Sequence, residues 1–227
     1  MEEALLLKVL KAILDESKKR GISVFVIGAF CVKAYDSLIR ESHDLDLAVV
    51  GEKFDHLAQL LKELGFSVHP RNIWVTAEKQ IGEEKIAIHI AVNEILDLNS
   101  QNSFSIREEK TFFLKPVELD FEIPALSLSG LLITKLISFR ENDIVDIVSL
   151  LTNKFEDLNP EKFCQKAADS NNLQVIQQRL LELRDLFESN EMDAIWFIRL
   201  NRVLPVEVKA KLLDKINKLL NPFSNSN

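Results

Sequence analysis

Apolar residues recur at helical spacing through EEALLLKVLKAILDESKKRG (residues 2–21), which ends on Lys18, Lys19, Arg20 and Gly21, a C-terminal helix signal. SVFVIG (23–28) is a short run of β-branched and aromatic residues, the pattern of a buried strand. Helical spacing returns in AFCVKAYDSLI (29–39), with Val32, Tyr35, Leu38 and Ile39 on one stripe, and HDLDLAVV (43–50) reads as strand. KFDHLAQLLKELGF (53–66) predicts a helix closed by Gly65. NIWVTAEKQ and KIAIHIAV, separated by Gly82 and charged residues, predict a hairpin, and TFFLKPVELDFEI (111–123) adds strand material. These elements make an α/β (α+β) unit on a mixed sheet flanked by helices.

Beyond Pro124 the periodicity is helical throughout. SLSGLLITKLISFRENDIVDIVSLL (127–151) reads as one helical stretch with Ser127 or Ser129 available as N-cap. PEKFCQKAADS, LQVIQQRLLELRDLFE, EMDAIWFIRLN and VEVKAKLLDKINKLL follow as helices. The expected organisation is therefore a mixed domain over 1–125 and a helical domain over 126–227, with a frayed SNSN end. The adjacent Trp196 and Phe197 are expected to pack between helices.

Composition narrows the classes. A chain of 227 residues with 47% hydrophobic content can bury one large core or two small ones. The formal net charge of −7 argues against bulk attraction to nucleic acid. Cys31 and Cys164 are too far apart for ligand spacing and suit free thiols in a reducing compartment. No signal peptide or run long enough to span a membrane is legible, so a soluble cytoplasmic protein that uses no membrane is expected.

The chemistry concentrates in VIGAFCVKAYDSLIRESHDLDLAVV (26–50). Asp44 and Asp46, one residue apart on a strand, point to one face about 7 Å apart along the chain. Two carboxylates so placed repel, and a cation is the usual offset. A hard divalent ion such as Mg²⁺ suits oxygen ligands and bridges phosphates. Gly28 lets a backbone approach phosphate closely, and the helix after it directs N–H groups there. The structural alternative is a solvated charge pair at the strand entry, with Arg40 neutralising it instead of binding phosphate.

With Gly28-Ala29, a helix, and then Arg40, Ser42, Asp44 and Asp46, this stretch resembles the signature of the nucleotidyltransferase superfamily with the polymerase-β-like fold. A second segment, IPALSLSGLLITKLISFRENDIVDIVSLL, is similar to one found in its abortive-infection toxin-like branch, and the match falls on Lys135, Leu136, Arg140, Asp143 and Asp146. The resemblance spans roughly residues 20–152. It implies transfer of a nucleoside monophosphate from a nucleoside triphosphate to an acceptor hydroxyl, with Mg²⁺ or Mn²⁺ held by Asp44 and Asp46. Gly28, Ala29, Arg40 and Ser42 would line the phosphates, and Lys135 would reach the triphosphate or the acceptor. The acceptor stays open among RNA, protein and a small molecule such as an aminoglycoside, and the branch implies an antitoxin-like protein partner.

Two departures stand out. Ala29 replaces the usual Gly or Ser. The superfamily usually draws a third carboxylate from a later strand, yet KIAIHIAV has none: Ala87, His89 and Ala91 share one face, and Ile86, Ile88, Ile90 and Val92 the other. The acid would align with Ala87 or His89. His89 could bind a metal or act as a base but supplies no negative charge; on that alanine face the first reading is a core histidine, and Asp143 is the expected substitute base. Lys135, Asp143 and Asp146 also fit a structural salt-bridge network. The missing acid motivates the alternative, a catalytically silent member that binds nucleotide, RNA or a protein.

Overall fold

A computed structural model of the protein describes residues 3–36, 42–71, 74–116 and 119–224. Among the described residues the chain forms two compact units, one of 3–36, 42–96 and 105–127, the other of 97–104 and 128–224.

The first unit opens with α1 (Glu3–Lys19), β1 (Val24–Val26), α2 (Gly28–Tyr35), β2 (Leu45–Val49) and α3 (Gly51–Glu63). β3 (Ser67–Pro70), β4 (Val75–Ile81) and β5 (Glu84–Val92) follow, and β8 (Phe112–Leu114) and β9 (Ile123–Ala125) complete the sheet. Two further strands, β6 (Glu94–Leu96) and β7 (Ser103–Ser105), lie outside it. The seven strands run in the order β3-β4-β5-β2-β1-β9-β8. β2 is antiparallel to β1 and parallel to β5, and β1 is parallel to β9, so the sheet is mixed as the patterning predicts.

Strand alternation decides which face is core. Leu45, Leu47 and Val49 of β2 and Ile86, Ile88 and Ile90 of β5 are fully buried in one cluster with Leu6, Leu10 and Ile13 of α1 and Leu57, Leu60 and Leu61 of α3. Asp46 and His89 occupy the alternate positions and therefore face away from this cluster. Ile81 pairs with Glu84 in the β4–β5 hairpin, whose turn uses Gly82 at a φ of +60°, a value glycine adopts without strain. β3 is absent from the patterning: SVHP offers no apolar alternation, and the strand forms by pairing with β4 at the sheet edge, ending at Pro70.

The second unit contains α4 (Leu128–Ser138), α5 (Glu141–Lys154), a 3₁₀ turn (Phe155–Asp157), α6 (Pro160–Asp169), α7 (Leu173–Glu188), α8 (Glu191–Leu200) and α9 (Val206–Ser224). The stretch expected as one helical run is broken at Phe139, which has a φ of +47°. Asp143 starts the new helix by accepting a hydrogen bond from the Arg140 amide at 3.3 Å. Phe163 and Phe223 join α6 to α9, with ring centroids 6.1 Å apart. The expected packing of Trp196 and Phe197 between helices is corrected for Phe197, which is 54% exposed near the C-terminal end of α8.

Candidate functional site

β1 hands over to α2 at Gly28. Its φ is +63°, and a Cβ there would stand 2.9 Å from Asp46 Cγ and collide with the carboxylate oxygen. Glycine is required twice, by the left-handed backbone and by the close approach of Asp46. The Ile27 amide donates to the Asp46 carbonyl at 2.9 Å, which fixes this approach. The first turn of α2 thus begins against the carboxylate, with Ala29 buried just inside it.

Asp46 sits on β2 directly opposite His89 of the parallel strand β5. His89 Nδ1 lies 3.2 Å from Asp46 Oδ1 and 3.5 Å from Asp44 Oδ2. Asp44 precedes the strand, and the Ser42 hydroxyl, itself buried, donates to its carbonyl at 3.1 Å and its carboxylate at 3.3 Å. Asp44, Asp46 and His89 each offer a ligand atom within 4.8 Å of the others. Their side chains are partly open to solvent, 43%, 29% and 43% exposed. The hydrogen bond to Asp46 pushes the His89 imidazole above its ordinary pKa; burial opposes this, and the charges of Asp46 and Asp44 reinforce it. His89 is therefore no core histidine. Its signal in the sequence is the strand pattern: with Ile86, Ile88 and Ile90 inward, it must stand on the face that carries Asp46.

The donor set fits a divalent cation. Two carboxylates supply hard oxygen ligands and negative charge, and an imidazole nitrogen completes three converging donors with room for water and phosphate oxygens.

Of the other residues singled out by the sequence, some belong to the second unit. Arg40 is outside the described residues. In the second unit Lys135 Nζ pairs with Asp143 at 2.9 Å and Asp146 at 2.8 Å, and Arg140 Nε reaches Asp143 at 2.8 Å. Lys135, Asp143 and Asp146 are all buried. Burial pushes the Asp143 carboxyl up, but the charge of Lys135 and the hydrogen bond from Arg140 outweigh it and hold the pKa below the ordinary range. Two further acids of the first unit that could be weighed as a third carboxylate are Asp120, paired with Lys11 at 3.0 Å, and Glu122, which lines a separate cavity.

Comparison with known proteins follows this geometry. No curated protein matches the sequence. Among solved structures, JHP933 from Helicobacter pylori superposes with a TM-score of 0.59 at 12% identity, covering 99% of this chain and 95% of that one. A second H. pylori chain, assigned as a nucleotidyltransferase, gives 0.56 at 13% identity over 100% and 99% of the two chains. ANT(2'')-Ia, crystallised with adenylyl-2''-tobramycin, gives 0.52 at 17% identity over 74% of this chain and 97% of that one. These likenesses establish the nucleotidyltransferase fold. A family model described as aminoglycoside-2''-adenylyltransferase matches residues 9–134. That match spans more than half of the chain, which therefore belongs to the aminoglycoside-2''-adenylyltransferase family of the nucleotidyltransferase superfamily.

Proposed function

We propose that the protein transfers a nucleoside monophosphate, with adenylyl as the first candidate, from a nucleoside triphosphate to a hydroxyl of a small-molecule acceptor. The convergence of Asp44, Asp46 and His89 within 4.8 Å carries this reading. The three side chains would hold one Mg²⁺ or Mn²⁺, which when bound neutralises triphosphate charge and orients the phosphates. Gly28 keeps the start of α2 open, so that the N–H groups of its first turn can receive phosphate oxygens beside Asp46. Ser42 fixes Asp44 through two hydrogen bonds and is thereby a positioning residue. The acceptor oxygen forms a bond to the α-phosphorus, the bond to the bridging oxygen breaks, and pyrophosphate leaves with that electron pair. The hydroxyl proton leaves to the water that reaches these partly exposed side chains.

In this reading Asp143, expected as the substitute base, serves the ion-pair network of the second unit: its carboxylate is 2% exposed and accepts from Lys135, the Arg140 side chain and the Arg140 amide. Lys135, neutralised by two buried carboxylates, likewise has a scaffolding role in this reading.

The replacement of an acid by His89 favours one second reading, nucleotide binding without transfer. One assay separates the two. The protein is incubated with ATP, Mg²⁺ or Mn²⁺ and a panel of aminoglycosides and other hydroxylated small molecules, and pyrophosphate and adenylylated product are measured. Acceptor-dependent pyrophosphate release that disappears in Asp46→Asn supports transfer. Metal-dependent ATP binding with no product under any acceptor, including total RNA and protein, establishes the binder.

A further inference from the structure

The sequence of α8, EMDAIWFIRL, is apolar on nearly every side, yet among its ten residues only Met192 is buried. A helix of that character is ordinarily covered on more than one face. α8 rests on α5 and α7, and its uncovered side is continued by the 201–205 linker into α9. Phe197 and Ile198 in the last turn of α8, Val203 in the linker and Val206 at the start of α9 are between 54% and 79% exposed. Together they open about 500 Å² of apolar surface, the upper end of what a monomeric protein leaves uncovered.

This surface is held in shape from behind. Leu204, in the middle of the linker, is buried. Lys209 of α9 is bonded to Asp193 of α8, and Arg199 Nε donates to Glu141 of α5 at 2.9 Å. Those pairs use up Asp193 and Arg199. Arg202 and Glu207, both exposed, make no ion pair within the chain among the described residues. In the chain they stand on either side of Val203 and Val206, so the apolar patch carries one unpaired cation and one unpaired anion at its flanks.

We infer that this surface is covered by the same surface of a second copy of the chain, in a two-fold dimer. A two-fold axis sets a patch against itself, so the patch must be complementary to itself. With Val203 and Val206 near the axis, Arg202 of each copy meets Glu207 of the other, and both unpaired charges are neutralised. Phe197 and Ile198 supply the large apolar contacts beside them. With the polar rim of Asn201, Arg202 and Glu207, the patch comes near the roughly 800 Å² per partner of a stable interface. A lipid surface fits less well. The chain carries a net charge of −7, and Arg202 is the one cation within 197–206 without an ion pair, where anionic headgroups call for a basic cluster. The contact requires nothing of the transfer reaction.

Sedimentation equilibrium of the full chain over a concentration series tests the inference. The mass should rise from 25.9 kDa towards twice that value, with midpoint in the micromolar range. Phe197→Ser with Ile198→Ser alters exposed positions only, so it should keep the circular dichroism spectrum and weaken association at least about tenfold. Arg202→Glu and Glu207→Arg should each weaken it by about tenfold, because each sets like charges together twice across the axis. An equimolar mixture of these two single variants should recover the dimer, since each supplies the charges that the other lacks; a role confined to one chain gives no such recovery. Association untouched by Phe197→Ser with Ile198→Ser, or no recovery on mixing, would overturn the inference. So would a mass that stays at 25.9 kDa throughout; co-sedimentation with phosphatidylserine vesicles would then assign the surface to a membrane, and its absence to a different protein.

Discussion

Asp46 and His89 face each other across two parallel strands, with a carboxylate oxygen 3.2 Å from the imidazole Nδ1. The register leaves no other outward-facing residue of β5 opposite Asp46. His89 thus stands where the resemblance led one to expect a third carboxylate. The centre holds two formal negative charges in place of three and gains a titratable nitrogen donor whose pKa the hydrogen bond to Asp46 raises.

Stability of the metal-free protein should follow that titration. Asp46 raises the folded pKa of His89 above its unfolded value of about 6.5, so the pair's contribution is fully present below that value. It is lost as pH rises through the folded pKa. Metal affinity should run the other way, weakening as pH falls through the same value, because proton and cation compete for the imidazole. Denaturant melts and metal titrations across neutral pH would show both slopes. An unchanged pair of slopes in His89→Asn would place the titrating group elsewhere.

Gly28→Ala isolates the junction of β1 and α2. The added Cβ meets Asp46 at a backbone conformation that alanine adopts only with strain. The expected loss of folding stability is about 1–3 kcal/mol. Displacement of Asp46 should weaken triphosphate and metal binding at least about tenfold, more than the melting shift implies. Equal losses of folding and binding would mean that Gly28 serves the backbone alone.

The buried cluster of Lys135, Asp143 and Asp146 offers a contrasting test. Lys135→Met keeps the length of the side chain and strands two carboxylates away from water. The cost should be about 3–5 kcal/mol, read as a lower denaturation midpoint. Nucleotide affinity of the fraction that stays folded should change little. A variant with normal stability and lost binding would return Lys135 to the nucleotide site.

The sheet and the Asp44, Asp46 and His89 cluster were legible to different degrees. Alternation in LDLAV and KIAIHIAV specified both strands and the facing of Asp46 and His89, because a half-buried strand leaves only one choice of face, whereas Asp44 precedes β2 and lies outside that alternation. Gly28 was legible as a point of close backbone approach, but not as the glycine that Asp46 requires, since that contact depends on strand order. The role of His89 turned on the β2–β5 register, which no local pattern contains. The break at Phe139 was hidden by continuous helical spacing on both sides. Nothing in EMDAIWFIRLN distinguishes an aromatic residue facing the interior from Phe197 facing solvent.

The metal stoichiometry gives the sharpest consequence of His89. Two divalent ions held close together repel, and enzymes that bind two offset this with added carboxylate charge. Asp44 and Asp46 supply two charges and a neutral His89 none, so one ion should bind in the presence of a non-hydrolysable triphosphate. An imidazole nitrogen favours Mn²⁺ over Mg²⁺ more than a carboxylate does. Mn²⁺ should therefore raise the melting temperature more than Mg²⁺ at equal concentration, by mass action. Asp44→Asn with Asp46→Asn should remove both responses. His89→Asp restores the acid on the same face of β5, across from Asp46. It should raise the number of bound ions towards two and shift the preference towards Mg²⁺, at the cost of stronger carboxylate repulsion when no metal is present. Calorimetric titration with each ion reads stoichiometry and preference together. Two ions already bound to the unaltered protein would show that another acid completes the centre, and an unchanged preference in His89→Asp would show that the imidazole is not a ligand.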